Sequence, residues 1–286
     1  RAAPLLADGV CILGRPCEVV VTPAPGRPTA LGPTSGFWIA ASPGGCDGGP
    51  MLSAEGLVNP MEDARLEGGG RVALSFGVAL AGAASGPHAL CWISAVEKEE
   101  LVLHSQDVLE LGSFILQGPQ RSVDALCTLG MQCNVSVSGS GLAPQSWVLL
   151  ASADGPSCKS GAAVVVEESG LRNPTPPELA DEGVGAEAAS ARHAGHSLGM
   201  SLNATVGMYR LCWVHGNSSL VPPEASAFVV ELGQLLIAGP SVPSTSVVFY
   251  CWAASPCSVT LSGVGLTVAN RVSLRESCED GVLQLP

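Results

Sequence analysis

Apolar and polar residues alternate singly along much of this chain. Cys133-Asn134-Val135-Ser136-Val137-Ser138 steps with period two, and Val259-Thr260-Leu261-Ser262 does the same. That period places one set of side chains on each face of a half-buried β-strand. Both stretches run into small turn residues, Gly139-Ser140-Gly141 and Gly263-Val264-Gly265. Segments 147–151 and 247–252 are short apolar runs bounded by turn signals, and 209–214 and 228–237 predict longer strands, the second bent at Gly233. Segment 180–194 is Ala- and Glu-rich, but it follows Pro174-Thr175-Pro176-Pro177 and holds two glycines. It reads as an insertion loop. The longest apolar runs, 72–84 and 228–238, are shorter than a membrane span, and Glu231 breaks the second.

The cysteines add a longer period. There are 11: Cys11, Cys17, Cys46, Cys91, Cys127, Cys133, Cys158, Cys212, Cys251, Cys257 and Cys278. Cys11/Cys17, Cys127/Cys133 and Cys251/Cys257 each form C-x5-C. A third cysteine follows each pair (Cys46, Cys158, Cys278), and a fourth follows the first two in Leu90-Cys91-Trp92 and Leu211-Cys212-Trp213. Val108-Leu109-Glu110-Leu111-Gly112 recurs as Val229-Val230-Glu231-Leu232-Gly233, and each leads into Gly-Pro, at Gly118-Pro119 and Gly239-Pro240. Gly36-Phe37-Trp38-Ile39 is matched to Gln145-Ser146-Trp147-Val148. These landmarks keep one order, which predicts a tandem array of domain-sized units: 1–119, 120–240 and a partial third unit, 241–286, holding first strands only.

Strands at this spacing, in units of this size, predict an all-β fold of tandem Ig-like antiparallel sandwiches. In immunoglobulin lettering 133–138 is strand B, 147–153 strand C, 209–214 strand F and 228–237 strand G, and a Trp on C facing Tyr209 on F would anchor the core. Four cysteines allow three pairings per unit. Alternation puts Tyr209, Leu211 and Trp213 on the core face and Cys212 outward, whereas Cys133 points inward with Val135 and Val137. A core-crossing Cys133–Cys212 bridge is therefore disfavoured. The expected pairs are Cys11–Cys17, Cys46–Cys91, Cys127–Cys133, Cys158–Cys212 and Cys251–Cys257, with Cys278 unpaired in this chain.

Composition narrows the function. With 13 basic and 25 acidic residues the net charge is −12, so no basic face is available for nucleic acid or for a polybasic membrane anchor. Recurring cysteine quartets in a strand-rich chain point to an oxidising, extracellular setting. A four-cysteine zinc site would show two close pairs rather than one. Asn134, Asn203 and Asn217 begin N-x-[ST] triplets and are the candidate N-glycan sites, while Pro174 excludes Asn173. Of five histidines, His193 and His196 have a spacing that chelates on a helix, but here it reads as solvated loop. Asp47-Gly48, Asp154-Gly155 and Asp280-Gly281 are turn dipeptides rather than calcium sites. No nucleophile elbow, P-loop or dinucleotide fingerprint is present, so neither catalytic residue, cofactor nor metal is expected.

Tyr209-Arg210-Leu211-Cys212-Trp213, the following Phe-led strand with Gly233, Gly239-Pro240 and then Cys251-x5-Cys257 with Gly263-x-Gly-Leu form a recurrent pattern. It resembles the cysteine-containing Ig-like repeats of very large extracellular proteins of protists, including algae and alveolates. Unit one departs from it, with Pro87-His88-Ala89-Leu90 in place of the Tyr. The resemblance implies a non-catalytic segment of a surface filament, mastigoneme, sheath or wall, with further repeats, other copies or filament subunits as partners. A cell-surface adhesin or receptor ectodomain, binding glycan or protein through sandwich-end loops, is the alternative expectation.

Overall fold

The computed structural model describes residues 9–22, 35–41, 45–61, 64–68, 71–81, 86–93, 108–120, 123–142, 146–167, 170–178, 193–201, 204–216, 221–241 and 248–273. Among them regular structure is strand, with short 3-10 turns such as Cys158–Ser160 and Ala225–Ala227. No helix of the described residues is long and apolar enough to cross a membrane.

The first sandwich is built from β1 (Gly9–Ile12), β2 (Pro16–Val21), β3 (Gly36–Ala40), β4 (Glu55–Leu57), β5 (Ala64–Leu66), β6 (Val72–Ala81), β7 (Pro87–Ile93) and β8 (Val108–Pro119). β2 and β6 pair antiparallel, with β4 and β5 on the far edge of β6. β3, β7 and β8 form the facing sheet, and β1 joins β8 in parallel. The second sandwich repeats this plan with β9 (Val123–Thr128), β10 (Gln132–Ser140), β11 (Ser146–Ser152), β12 (His193–Met200), β13 (Gly207–His215) and β14 (Val230–Pro240). β10 pairs with β12, β11 with β13 and β13 with β14, while β9 lies parallel to β14. A short first strand parallel to the last, facing a B–E pair, is the immunoglobulin arrangement.

The repeated Glu-Leu-Gly is a β-bulge. Register slips between Leu90 and Cys91 against β8, and between Leu211 and Cys212 against β14. The extra residue on each bulged strand, Leu111 or Leu232, is turned into the core. Gly233 follows the second bulge because β9 begins its parallel pairing there: a Cβ on it would lie 2.6 Å from the Val123 carbonyl oxygen.

Four expectations need correction. The tryptophan of strand C does not face Tyr209. Tyr209, Leu211 and Trp213 lie in the main core with Val148 and Leu150, while Trp147 packs on the outer side of that sheet with Cys158, Cys212 and Phe228. The core tryptophan comes from strand F, because Trp213 is the residue that alternates with outward Cys212. Nor are Trp38 and Trp147 equivalent: Trp38 stands opposite Cys91, and it is Leu149 that stands opposite Cys212. Finally, neither strand expected in the third unit forms among the described residues, and it is the expected turn, Gly263–Val264 (β15), that lies in a sheet, paired with Gly239–Pro240. The rest of 248–273 has no ladder beside it, and its large side chains are bare, Tyr250 at 85% and Trp252 at 81% exposure. An isolated strand has nothing to satisfy its amides or cover its apolar face. The last strand also begins at Val230 rather than Phe228, which follows a 3-10 turn and is buried in the outer cluster.

Candidate functional site

The features that distinguish this molecule gather where one sandwich meets the next. The end of β10 pairs with the end of β8, Gly139 opposite Pro119 and Ser140 opposite Gly118. Gln120 N donates to the Ser138 carbonyl at 2.7 Å, and Ser140 Oγ donates to the Leu116 carbonyl at 3.1 Å. The approach is close enough that a Cβ on Gly139 would sit 2.2 Å from the Gly118 oxygen. Beneath Gly118 lies the Leu13 side chain, at the tip of the turn that Cys11–Cys17 closes. Leu13 N donates to the Gln117 carbonyl at 2.9 Å and Gly14 N to the Ala79 carbonyl at 2.7 Å. From the same tip, Arg15 Nη2 reaches the second sandwich and donates to the His215 carbonyl at 2.6 Å. Lys159 pairs with Glu55 across the boundary at 2.5 Å. A cleft of about 450 Å³, lined by Gly14, Arg15, His215, Pro222, Pro223 and Val229 among others, runs along the seam.

The second boundary repeats the main-chain part of the first. Gly263 stands opposite Pro240 and Val264 opposite Gly239. Ser241 N donates to the Ser262 carbonyl at 2.7 Å, Leu129 N to the Ala238 carbonyl at 2.9 Å and Gly130 N to the Ser201 carbonyl at 2.7 Å. A Cβ on Gly263 would again fall 2.2 Å from the Gly239 oxygen, and Leu129 underlies Gly239. Most buried side chains of the two sandwiches belong to one cluster that draws on both, apart from two small outer clusters.

The structure joins Cys11–Cys17, Cys46–Cys91, Cys127–Cys133, Cys158–Cys212 and Cys251–Cys257. Cys278 lies outside the described residues. Cys46–Cys91 and Cys158–Cys212 sit outside the strand C–F sheet, each in a small apolar cluster of its own with Trp38 or Trp147. Arg210 ties down the loop that carries Cys158. Its guanidinium donates to the carbonyls of Ala153, Gly155 and Pro156 at 3.1, 3.0 and 2.7 Å, and its Nε lies 3.5 Å from Glu231.

One repeated site escaped sequence reasoning. Asn59 Nδ2 donates to the carbonyls of Ile39 and Leu52, both at 2.8 Å, and its Oδ1 accepts from Ile39 N at 2.9 Å. Asn173 does the same with Leu150 and Val166, at 2.7 and 2.8 Å, and accepts from Leu150 N at 2.8 Å. The signal was present as Gly56-Leu57-Val58-Asn59-Pro60 and Gly170-Leu171-Arg172-Asn173-Pro174. Each asparagine clamps a connecting segment to strand C.

Asn134 is exposed on β10, whereas Asn203 and Asn217 lie outside the described residues. His193 and His196 belong to strand β12, not to a loop, and their spacing puts them on opposite faces, His193 exposed and His196 buried. Burial lowers the His196 pKa, against weaker upward pulls from the Thr175 and Pro176 backbone and Glu178. Among the described residues neither of its ring nitrogens makes a well-formed hydrogen bond. His215 is lowered by burial and by the Arg15 charge, and His88, which takes the place of Tyr209, by burial. Tyr209 Oη donates to the Thr205 carbonyl at 2.5 Å, closing a tyrosine corner. Among the described residues no three His, Cys, Asp or Glu side chains converge as a metal site.

No family model matches the chain, and no curated protein matches it. Among solved structures it is similar to the ectodomain of the teleost fish polymeric Ig receptor, at 11% identity, over 84% of this chain and 99% of that one, with a TM-score of 0.24. At that score the two chains do not superpose as wholes, and the likeness carries no argument about function. The assignment to Ig-like sandwiches stands on the strand order and pairing described above.

Proposed function

We propose that this chain is a non-catalytic segment of an extracellular array, with repeats at 1–119, 120–240 and 241–286, whose task is to hold successive sandwiches at a fixed angle. The observation that carries this reading is the joint: Gly118-Pro119 against Gly139 recurs as Gly239-Pro240 against Gly263, with matching main-chain hydrogen bonds. A fixed joint repeated along a chain gives a regular rod, which is what a surface filament or sheath requires. Five disulfides fit assembly in an oxidising compartment. Partners in this reading are further repeats or other copies of the same protein, with N-glycans at Asn134, Asn203 and Asn217. Mastigoneme-type filaments are the finer form of the proposal.

The test pairs electron microscopy of the native protein with non-reducing peptide mapping. The expected result is a row of sandwiches at constant spacing and angle, with no free thiol among the ten paired cysteines. Freely articulating beads, or reduced cysteines in the native material, would overturn it.

A further inference from the structure

We infer that the Cys-x5-Cys bridge is a joint-setting device, distinct in role from the Cys46–Cys91 and Cys158–Cys212 bridges. This holds whether or not the chain builds a filament. The two kinds of bridge differ first in loop length. Cys11–Cys17 and Cys127–Cys133 close loops of sequence separation 6, against 45 and 54 for the others. Short loops restrict the unfolded chain least, so the short bridge is the weaker staple of its own sandwich.

They differ also in what they hold. The long bridges lie in small outer clusters; Cys46–Cys91 has no part in either boundary, and beside Cys158–Cys212 it is Lys159, not the bridge, that reaches across to Glu55. The short bridge ties β1, in one sheet, to β2, in the other, and presents the three residues between them as a rigid tip. Each tip residue serves the boundary. Leu13 underlies Gly118, where a Cβ would lie 2.8 Å from it, and Gly118 is the residue that pairs with Ser140 of β10. Gly14 is bonded to the end of β6 and lies against the second sandwich, where a Cβ would meet Val230 at 3.0 Å. Arg15 carries the strut to the His215 carbonyl. The second short bridge presents Leu129 and Gly130 to Gly239 and Ser201 in the same manner. Without the bridge, the tip is a seven-residue hairpin corner free to rotate, and Leu13 no longer fixes where β8 ends and β10 begins.

The experiment measures residual dipolar couplings on the whole chain, with C11V/C17V chosen to keep the core volume filled. In the unaltered protein both sandwiches report one alignment tensor. In C11V/C17V the two sandwiches report tensors of different magnitude, as expected of independent domain motion. Amide exchange in β6 and β7 stays slow. C46V/C91V does the reverse, speeding exchange in β7 while the tensors stay equal. R15A, with the bridge intact, gives a smaller divergence of the tensors. Equal tensors in C11V/C17V overturn the inference. So does general loss of protection in β6 and β7, or failure to fold, in that variant, because either would make the short bridge a staple of the core. Equal tensors in R15A overturn the role of the tip.

Discussion

His196 stands where the first sandwich has Leu74: Val19 faces Leu74 across β2 and β6, and Val135 faces His196 across β10 and β12. The imidazole is fully buried, and among the described residues neither nitrogen makes a well-formed hydrogen bond, the Thr175 and Pro176 backbone lying only near enough to favour its charged form. Burying an unpartnered polar group costs about 1–3 kcal/mol. H196L, which installs the counterpart residue at similar volume, should therefore stabilise the second sandwich by about that amount near pH 8. Acidification adds a second effect. Burial holds the folded pKa below the ordinary 6.5, so below that pH the unfolded chain takes up a proton the folded chain refuses. Stability is complete above about pH 6.5 and falls as the pH drops toward the folded value, at up to ~1.4 kcal/mol per pH unit for one group. The Thr175 and Pro176 backbone and, less, Glu178 oppose this and do not reverse it. The assay is native-state amide exchange on β10 and β12 between pH 8 and pH 5, corrected for the intrinsic exchange rate. H196L should exchange more slowly at every pH and lose about one proton's worth of the acid slope. His215 supplies the remainder in that sandwich, its pKa lowered by burial and by Arg15. An unchanged acid slope in H196L, or lower protection at pH 8, would refute the reasoning.

Three further outcomes follow from single sites. N173A removes three hydrogen bonds that bind the connecting segment to strand C, costing about 2–3 kcal/mol in chemical denaturation; N59A should match it, and the two should add because they lie in different sandwiches. G139A forces a methyl to 2.2 Å from the Gly118 oxygen, so the joint must part and the radius of gyration by X-ray scattering should grow by about 1–3 Å. C158A/C212A should cost about 4 kcal/mol and C127A/C133A about 2, from the loop lengths alone; equal losses in calorimetry would show that packing, not chain entropy, decides both.

Much of this architecture was legible because disulfides and glycines constrain partners as well as local geometry. On strand F, large Tyr209, Leu211 and Trp213 left Cys212 only the outer face, and the structure places it there. Strand C offered no such guide. Trp147, Leu149 and Ala151 on one side and Val148 and Leu150 on the other are all apolar, because both faces of this sheet are covered, the outer one by the loop that carries Cys158. Size alone then assigned Trp147 to the wrong face, and a two-residue slip hid in the Trp38–Trp147 match because a slip of two preserves the face. The asparagine clamp failed to register for another reason. Asn-Pro reads locally as a turn and as a blocked glycan site, whereas its meaning lies in carbonyls 20 and 23 residues earlier.

The two joints also separate what is constant from what varies. Both share the Gly-Pro end, the facing glycine, the leucine beneath it and the disulfide-closed tip, all of which act through backbone position. The struts do not recur. Arg15 at the first tip is matched by Met131 at the second, an apolar and 62% exposed side chain with no guanidinium to offer a carbonyl. Geometry set by the backbone survives such a change, because the β8–β10 and β14–β15 pairings need no particular side chain beyond glycine. Strength does not: a charged donor on a carbonyl and a lysine–glutamate pair respond to salt, and the described residues of the second joint offer neither. Sequence can thus tune each joint's resistance to bending while leaving its main-chain pairing alone, through the tip position held by Arg15 or Met131 and through pairs such as Lys159–Glu55.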